Sequence, residues 1–247
     1  MAFLEEIKKE AEQDKLYPIA FYGASTTSSE YVFPNWVEII RYVLKNVVEQ
    51  KTSDYKRAYW NVQTFNCGLD GASSKDLLER FENLVLRIKP RMIFLAMGKN
   101  DPYYGIDPKE TTENTSKLIS QALDSGIKVV FANAPPALWE SLNEKIKNHL
   151  EAEREVAKKF AENENFMFID IFEKFPKKEL EKIYTLICAD GNEVVGIKPG
   201  EIDPIHYNKR GSAIVAKILL EEAFGIDFDM EIFLNDLKDP SKKYPSY

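Results

Sequence analysis

The feature that most constrains the fold is a run in the middle of the chain, Met92 to Met97, in which every side chain is apolar. A strand that is apolar on both faces is typical of the inside of a parallel sheet, where helices cover both sides. Pro90 precedes the run, and the turn-forming sequence Gly98-Lys99-Asn100-Asp101-Pro102 follows it. We therefore interpret 92–97 as a central strand of a parallel sheet.

The same pattern recurs along the chain. Strands are predicted at 19–22, 58–65, 92–97, 127–134 and 166–171, and helices at 35–48, 73–88, 111–125, 138–161 and 209–223. This alternation predicts a three-layer α/β domain with a parallel sheet, preceded by a short amphipathic helix. We expect one domain over 1–247, with a core at about 17–224 and a C-terminal extension at 225–247.

One segment departs from the alternation. Residues 185–189 and 193–197 are apolar and β-branched, and Asp190-Gly191-Asn192 lies between them. This arrangement predicts a β-hairpin within 185–202, which leads into Asp203 and forms either a wall of the substrate pocket or a surface excursion without function.

Charge and composition exclude several classes of protein. The net charge of -7 argues against nucleic acid and anionic membranes as partners. No apolar run approaches the ~20 residues that span a bilayer, and the N-terminus lacks the apolar region of a signal peptide. Cys67 and Cys188 lack metal-type spacing, so we expect free buried thiols in a cytoplasmic protein.

The candidate nucleophile is Ser25, in the stretch Tyr17 to Thr27. An apolar strand ends at Gly23, and a serine just after it lies at the carboxyl end of the strand, where open α/β sheets bind ligands. The alternative is an ordinary helix N-cap, a position that favours serine.

The candidate base is His206, because the chain has only one other histidine, His149. His149 lies in a helix rich in Lys and Glu, where we expect it at the surface or at the edge of the apolar stripe. Asp203 lies three residues before His206, within reach of its Nδ1–H in a turn. The alternative is a proline-bearing turn that contains an aspartate and a histidine by chance.

When a serine attacks a carbonyl group, the carbonyl oxygen becomes an oxyanion, which needs hydrogen-bond donors. The candidates are the backbone N–H groups of Ser25 and Gly71 and the side-chain amide of Asn100, since the loops after parallel strands lie at one edge of the sheet. Gly71 also fits an ordinary turn before a capped helix, and Asn100 fits an Asx turn before Pro102.

These blocks together resemble the SGNH hydrolase superfamily, also called GDSL esterases and lipases. The family's Gly-Asp-Ser corresponds to Gly23-Ala24-Ser25, its Asn-x-x-x-x-Gly loop to 66–71, its Gly-x-Asn-Asp to 98–101, and its Asp-x-x-His to 203–206. The resemblance covers 19–220. It implies a flavodoxin-like sheet of order 2-1-3-4-5 and a Ser-His-Asp ester hydrolase, without metal or cofactor, in which Gly71 and Asn100 complete the oxyanion hole.

Two residues depart from the family pattern. Ala24 replaces an aspartate that is not the triad acid, so its loss affects the rigidity of the loop more than the reaction. Lys99 is bulkier than the usual residue between Gly98 and Asn100, and we expect it to point outward into solvent.

The sequence thus predicts a serine hydrolase that cleaves a small-molecule carboxylic ester. Our first expectation is a short acyl group, such as an O-acetyl group on a carbohydrate. The alternatives are a lysophospholipase or thioesterase for longer acyl chains, and a non-catalytic binding protein. The sequence leaves the oligomeric state open.

Overall fold

The computed structural model describes residues 2–52 and 54–247. Within these ranges the strands are β1 (Tyr17–Gly23), β2 (Val62–Gly68), β3 (Met92–Ala96), β4 (Lys128–Ala132) and β5 (Phe166–Ile169). The helices are α1 (Ala2–Glu12), α2 (Trp36–Thr52), α3 (Tyr55–Asn61), α4 (Ser74–Leu84), α5 (Asn100–Tyr104), α6 (Pro108–Asp124), α7 (Glu140–Phe160), α8 (Ile171–Lys174), α9 (Leu180–Ile183), α10 (Lys209–Phe224) and α11 (Met230–Asp236).

The five strands form one sheet of order β2-β1-β3-β4-β5, and every neighbouring pair is parallel. This confirms the predicted fold and strand order. Gly23, the last residue of β1, pairs with Gly68 of β2 and Ala96 of β3. The loops that follow β1, β2 and β3 therefore begin side by side at one edge of the sheet.

Successive side chains of each strand enter opposite layers of the core, as the pleat of a strand requires. Phe21 and Phe94 pack with the apolar faces of α1, α2 and α10, whereas Tyr22 and Leu95 pack with those of α4, α6 and α7. Both faces of β3 are buried, which explains why its sequence is apolar throughout and confirms the helices on both sides.

The predicted second strand is wrong at its beginning. Residues Tyr55–Asn61 form α3, and the strand starts only at Val62. The Asp54 carboxylate accepts a hydrogen bond from the Lys56 N–H and so caps the helix. This local cap outweighs the β-propensity of the aromatic residues, which is strongly dependent on context.

The segment 185–202 does not form the predicted hairpin. Two isolated antiparallel bridges join Ile187 to Ile202 and Asn192 to Ile197, and the tight turn lies at 193–196. The N–H of Cys188 donates to the Glu201 carbonyl at 2.9 Å. Residues 187–188 thus pair with residues 201–202, just before Asp203. They therefore do not pair with 193–197, as the predicted hairpin required.

Two further expectations concern the cysteines and the membrane. Cys67 and Cys188 are free, as expected, but each is only half-buried. Burial raises the pKa of the Cys67 thiol to about 11, so this thiol stays protonated near neutral pH. None of the helices in the described part of the chain is long and apolar enough to cross a membrane.

Candidate active site

Ser25 lies in a tight turn directly after β1. The N–H groups of Thr27 and Ser28 both donate to the Ala24 carbonyl, at 2.9 and 3.1 Å. A side chain at Gly23 would place its Cβ 2.3 Å from the Ala96 carbonyl oxygen, so the turn can begin there only with glycine. No helix starts at Ser25, which excludes the N-cap alternative.

Ser25, His206 and Asp203 form one chain of hydrogen bonds. His206 Nε2 lies 2.9 Å from Ser25 Oγ, and His206 Nδ1 lies 2.7 Å from Asp203 Oδ2. The second oxygen, Asp203 Oδ1, accepts hydrogen bonds from the backbone N–H groups of Ile205 and His206 at 2.9 and 3.0 Å. The three residues therefore meet across 181 positions of sequence, with the connectivity that a Ser-His-Asp triad needs.

The electrostatics of Asp203 set the tautomer of His206. Burial raises the pKa of the Asp203 carboxyl, but the hydrogen bond and charge of His206, together with two backbone N–H groups, outweigh burial and lower it below its usual value. An ionised carboxylate only accepts hydrogen bonds, so His206 Nδ1 carries the proton toward it. In neutral His206 the lone pair of Nε2 then faces Ser25.

Asn100, the first residue of α5, reaches the same place. It lines a small cavity together with Ser25, Gly98 and His206, and its Nδ2 donates to the Ala72 carbonyl at 2.8 Å. One Nδ2 hydrogen remains for another acceptor.

Gly71 is the predicted site residue with the weakest link to the others. It precedes Ala72 and has φ +69°, which favours glycine. It lies outside the lining of the small cavity. Its connection to the site runs through the hydrogen bond between Asn100 and Ala72.

Asp101 holds this loop in place, which the sequence pattern did not reveal. Its carboxylate is buried and accepts hydrogen bonds from the Ser74 N–H at 2.7 Å and the Thr111 hydroxyl at 2.5 Å. The N-terminal turns of α4 and α6 are thereby tied to the residue next to Asn100.

Tyr31 covers the imidazole of His206. The two rings are stacked with their centroids 3.6 Å apart and their planes 7° from parallel. The Tyr31 hydroxyl donates to Asp70 at 3.2 Å, beside Gly71. Nothing in the sequence indicates this stacking.

Comparison with known proteins identifies the family. A model of the GDSL-like lipase/acylhydrolase family matches residues 22–214, a range that contains all five candidate site residues. The chain belongs to this family. It is thus a member of a family of hydrolases that act on acyl groups, as the sequence resemblance predicted.

Individual relatives are more distant. An arylesterase from Vibrio mimicus is 34% identical over 71 residues, which are 29% of this chain and 36% of the relative. The match therefore spans about a third of the length of that curated relative.

Solved structures share the fold. An acetyl xylan esterase, AlAXEase, has a TM-score of 0.61 at 20% identity, with coverage of 84% of this chain and 100% of that one. A lipase/acylhydrolase from Enterococcus faecalis has a TM-score of 0.62 at 20% identity, with coverage of 85% and 96%. A catalytic mutant of an acetylxylan esterase from Geobacillus stearothermophilus has a TM-score of 0.63 at 15% identity, with coverage of 87% and 96%.

In this GDSL-family chain, Ala24 is packed tightly in the turn that holds Ser25. It is 1% exposed, and a Cβ added at Gly98 would lie 2.8 Å from the Ala24 Cβ. An aspartate at position 24 has no free space on this side. The loop is built around the small side chain.

Lys99 points inward, which contradicts the prediction. Its side chain is buried, and its Nζ lies 3.4 Å from the carbonyl oxygens of Pro136 and Ile205. Burial lowers the pKa of the Lys99 ammonium to about 7, although the charge of Asp203 opposes this shift. Burial of the apolar part of the side chain, together with the oxygen acceptors near Nζ, outweighs the hydration that the ammonium group of a surface lysine keeps.

His149 is also buried, so of the two predicted positions the surface one is wrong and the edge of the apolar stripe of α7 remains. Its Nε2 lies 2.9 Å from the Ile106 carbonyl, and its Nδ1 has no hydrogen-bond partner in the described part of the chain. Within residues 2–52 and 54–247, no group of three or more His, Cys, Asp or Glu side chains is arranged to hold a metal ion.

Proposed function

We propose that the protein is a serine esterase in which Ser25, His206 and Asp203 act as a catalytic triad. The observation that carries this proposal is the continuous chain of hydrogen bonds from Ser25 Oγ to His206, 2.9 Å, and from His206 to Asp203, 2.7 Å. A base oriented by a buried carboxylate beside a serine hydroxyl is the arrangement that activates a serine for acyl transfer.

In the first half of the reaction, Ser25 Oγ attacks the carbonyl carbon of the ester while His206 Nε2 takes its proton. Asp203 stabilises the imidazolium that forms. The oxyanion accepts hydrogen bonds from the Ser25 and Gly71 N–H groups and from Asn100 Nδ2. His206 then donates its proton to the leaving alcohol, and an acyl-enzyme remains on Ser25.

In the second half, His206 takes a proton from water, which attacks the acyl group. The acid is released, and the proton returns to Ser25. The ester and one water molecule balance the two steps.

The acyl group is short in this proposal. The cavity against Ser25, Asn100 and His206 measures about 10 Å³, which is close to the least volume that holds one water molecule. An acetyl group fits this restriction better than a longer chain. The acetyl xylan esterases among the similar structures support the same acyl group.

We place the alcohol in a groove of about 570 Å³ that Tyr31 lines, a volume within the range of small-molecule sites. Its lining mixes aromatic and aliphatic side chains with hydrogen-bonding ones, among them Asn208, Arg210, Asn235 and Lys238. This mixture suits a polyhydroxylated alcohol, so we propose an acetylated carbohydrate as the substrate.

The extension after α10 forms part of this groove. Glu231, Leu234 and Asn235 of α11 line it, and Phe233 is buried against the α2 side of the core. The Tyr42 hydroxyl also donates to the Pro245 carbonyl at 2.7 Å. We propose that 225–247 belongs to the same domain as the core and helps to bind the alcohol.

A second candidate function is hydrolysis of longer acyl esters. One observation favours it: a mainly apolar groove of about 350 Å³ lies between Tyr42, Phe233 and Tyr244, and shares Phe33 and Leu237 with the first groove. An acyl chain that entered from Ser25 along both grooves would find apolar surface at the far end.

A panel of substrates separates these functions. We expect kcat/KM to be highest for p-nitrophenyl acetate among p-nitrophenyl esters of increasing chain length, and release of acetate from acetylated xylooligosaccharides. Ser25→Ala is the control and should abolish both. A maximum at eight or more acyl carbons would favour the second candidate, and no hydrolysis by the folded wild-type protein would favour a binding protein.

A further inference from the structure

The side chain of Lys99 ends inside the protein where three loops meet. Its Nζ lies 3.4 Å from the Ile205 carbonyl, 3.4 Å from the Pro136 carbonyl and 3.5 Å from the Tyr184 hydroxyl. Only 6% of the residue is exposed. The ammonium group therefore exchanges its hydration for three protein oxygens.

These contacts join the two halves of the candidate active site. Lys99 directly precedes Asn100, the proposed oxyanion donor, and occupies the N-cap position of α5 without a side-chain capping hydrogen bond. Ile205 directly precedes His206, the proposed base. A single side chain thus connects the loop that binds the oxyanion to the loop that carries the base.

Asp203 is the charged group whose field acts on Lys99. The other titratable groups around the two residues are Tyr31, Tyr103, Tyr184, Tyr207, Cys188 and His206. Burial raises the pKa of each tyrosine above its usual value, so these hydroxyls stay neutral under working conditions. While Lys99 is protonated, Asp203 consequently balances two cationic groups, the Lys99 ammonium and the imidazolium that forms on His206 during the reaction.

Packing alone does not require an ammonium group at this position. A buried cation costs free energy unless its charge is well compensated, and an apolar side chain of the same length would fill the space at less cost. Burial lowers the pKa of Lys99 to about 7, which is the physical sign of that cost. The charge is what needs an explanation.

We propose that Lys99 is a positioning residue of the esterase site, whose ammonium group holds the Asn100 loop against the His206 loop and shares the charge of Asp203 with the imidazolium. This inference rests on the proposed function. It concerns how the base and the oxyanion donor are held, and assigns Lys99 no contact with the substrate.

The first test is kinetic. Lys99→Met keeps the length of the side chain and removes its charge, Lys99→Arg keeps the charge, and Lys182→Met removes an exposed charge outside the lining of both grooves. In Lys99→Met we expect kcat to fall by roughly 10- to 100-fold, with little change in KM, because the two loops lose their connection. Lys182→Met should match the wild type.

The pH profile distinguishes positioning from bulk packing. Without the ammonium group, Asp203 stabilises only the imidazolium, so His206 is easier to protonate and the acid limb of kcat/KM moves to higher pH. Lys99→Arg should return the limb toward its wild-type position. An unchanged limb, or a kcat within twofold of the wild type, would overturn the proposal.

The second test is thermal unfolding between pH 7 and pH 10. The unfolded chain holds the Lys99 proton up to its ordinary pKa of ~10.4, whereas the folded protein releases it near pH 7. Wild-type stability due to this group therefore rises with pH through this window. Lys99→Met should have the higher Tm at pH 7, by an amount that shrinks toward pH 10.

A purely structural role predicts the opposite, a lower Tm for Lys99→Met at every pH, and that result would overturn the proposal. The two hypotheses fail in distinguishable ways. If the wild-type protein hydrolyses esters and Lys99→Met matches it, only the role of Lys99 is wrong. If the wild-type protein hydrolyses none, the proposed function fails, and the role of Lys99 fails with it.

Discussion

His206 and His149 are buried to almost the same extent, 5% and 7% exposed, but they lie among different groups. His206 contacts the carboxylate of Asp203 through one nitrogen and the Ser25 hydroxyl through the other. His149 contacts the Ile106 carbonyl, and its second nitrogen has no hydrogen-bond partner among the described residues.

The nearby carboxyl groups differ in the same way. Hydrogen bonds from His206 and from the backbone outweigh burial at Asp203 and lower its pKa. Glu153 lies one turn after His149 on α7, and the two residues line a small cavity that is separate from the one at Ser25. Burial, together with the charges of Asp101 and Asp170, raises the Glu153 pKa well above its usual value.

The two histidines are equally buried, so burial is not the reason for which we propose His206 as the base. A base needs a carboxylate that is ionised and fixed, and an acceptor nitrogen that faces a hydroxyl. The His206 region supplies both. The His149 region supplies a carboxyl group with a raised pKa and a backbone carbonyl, which suit packing of α7 against α5 and the residues that follow it.

The largest difference between the two regions is expected when each histidine is replaced in turn. We expect His206→Ala to lower kcat for p-nitrophenyl acetate by roughly 10⁴- to 10⁶-fold, because Ser25 loses its base. His149→Ala should keep kcat within about threefold, but lower the Tm, because the buried Ile106 carbonyl loses its partner. Comparable losses of kcat in both variants would contradict the distinction.

A smaller loss is expected from the oxyanion side. Asn100→Ala should lower kcat by roughly 10²- to 10³-fold, as one donor to the oxyanion is lost. Asn114→Ala is the matched control, since this buried amide donates to Ser74 Oγ at 3.1 Å, away from Ser25. If steady-state kinetics showed equal losses in the two variants, the effect would be one of loop packing and Asn100 would not be a donor.

The stacking of Tyr31 on His206 should matter less. An aromatic contact of this kind contributes about 0.5–1.5 kcal/mol, so Tyr31→Ala should lower kcat/KM by roughly 2- to 10-fold. Tyr31→Phe retains the stacking and loses only the hydrogen bond to Asp70, so it should stay close to the wild type. A larger loss in Tyr31→Phe than in Tyr31→Ala would show that the hydroxyl, and not the ring, is the important group.

The smallest effect on activity is expected at Glu153. Its raised pKa means that the folded protein keeps a proton that the unfolded chain releases above ~4.3, so its contribution to stability falls as pH rises. Glu153→Gln should therefore have a higher Tm than the wild type at pH 8, with no gain below pH 4. Calorimetry measures this difference, and a gain that is equal at both pH values would refute the assignment of a neutral Glu153.

Much of the fold is predictable because its signals are local. The apolar run that forms β3 is buried on both faces, and Ser73 caps α4 with Asp76, as the sequence indicates. The failures at 55–61 and 185–202 have a common cause. In both places a short-range capping or pairing partner outweighs a propensity that is itself weak.

Some contacts of the candidate site can be predicted from the sequence, and others cannot. Asp203 and His206 are three residues apart, so their contact follows from a turn, and the sheet topology brings Ser25 to them. The inward direction of Lys99 depends on oxygens of Pro136, Tyr184 and Ile205, which no pattern around residue 99 indicates. The same holds for Tyr31, whose ring meets His206 only after the chain has folded.

The most direct test of the triad is covalent labelling of Ser25 with a fluorophosphonate at pH 8. The Ser25 oxygen attacks phosphorus, fluoride leaves, and His206 takes the proton, so only an activated serine reacts. Peptide mass spectrometry should find one probe, on Ser25, and labelling should fall on acidification and in His206→Ala, but not in His149→Ala. A folded protein that stays unlabelled, or labelling of Ser25 that survives His206→Ala, would contradict the triad.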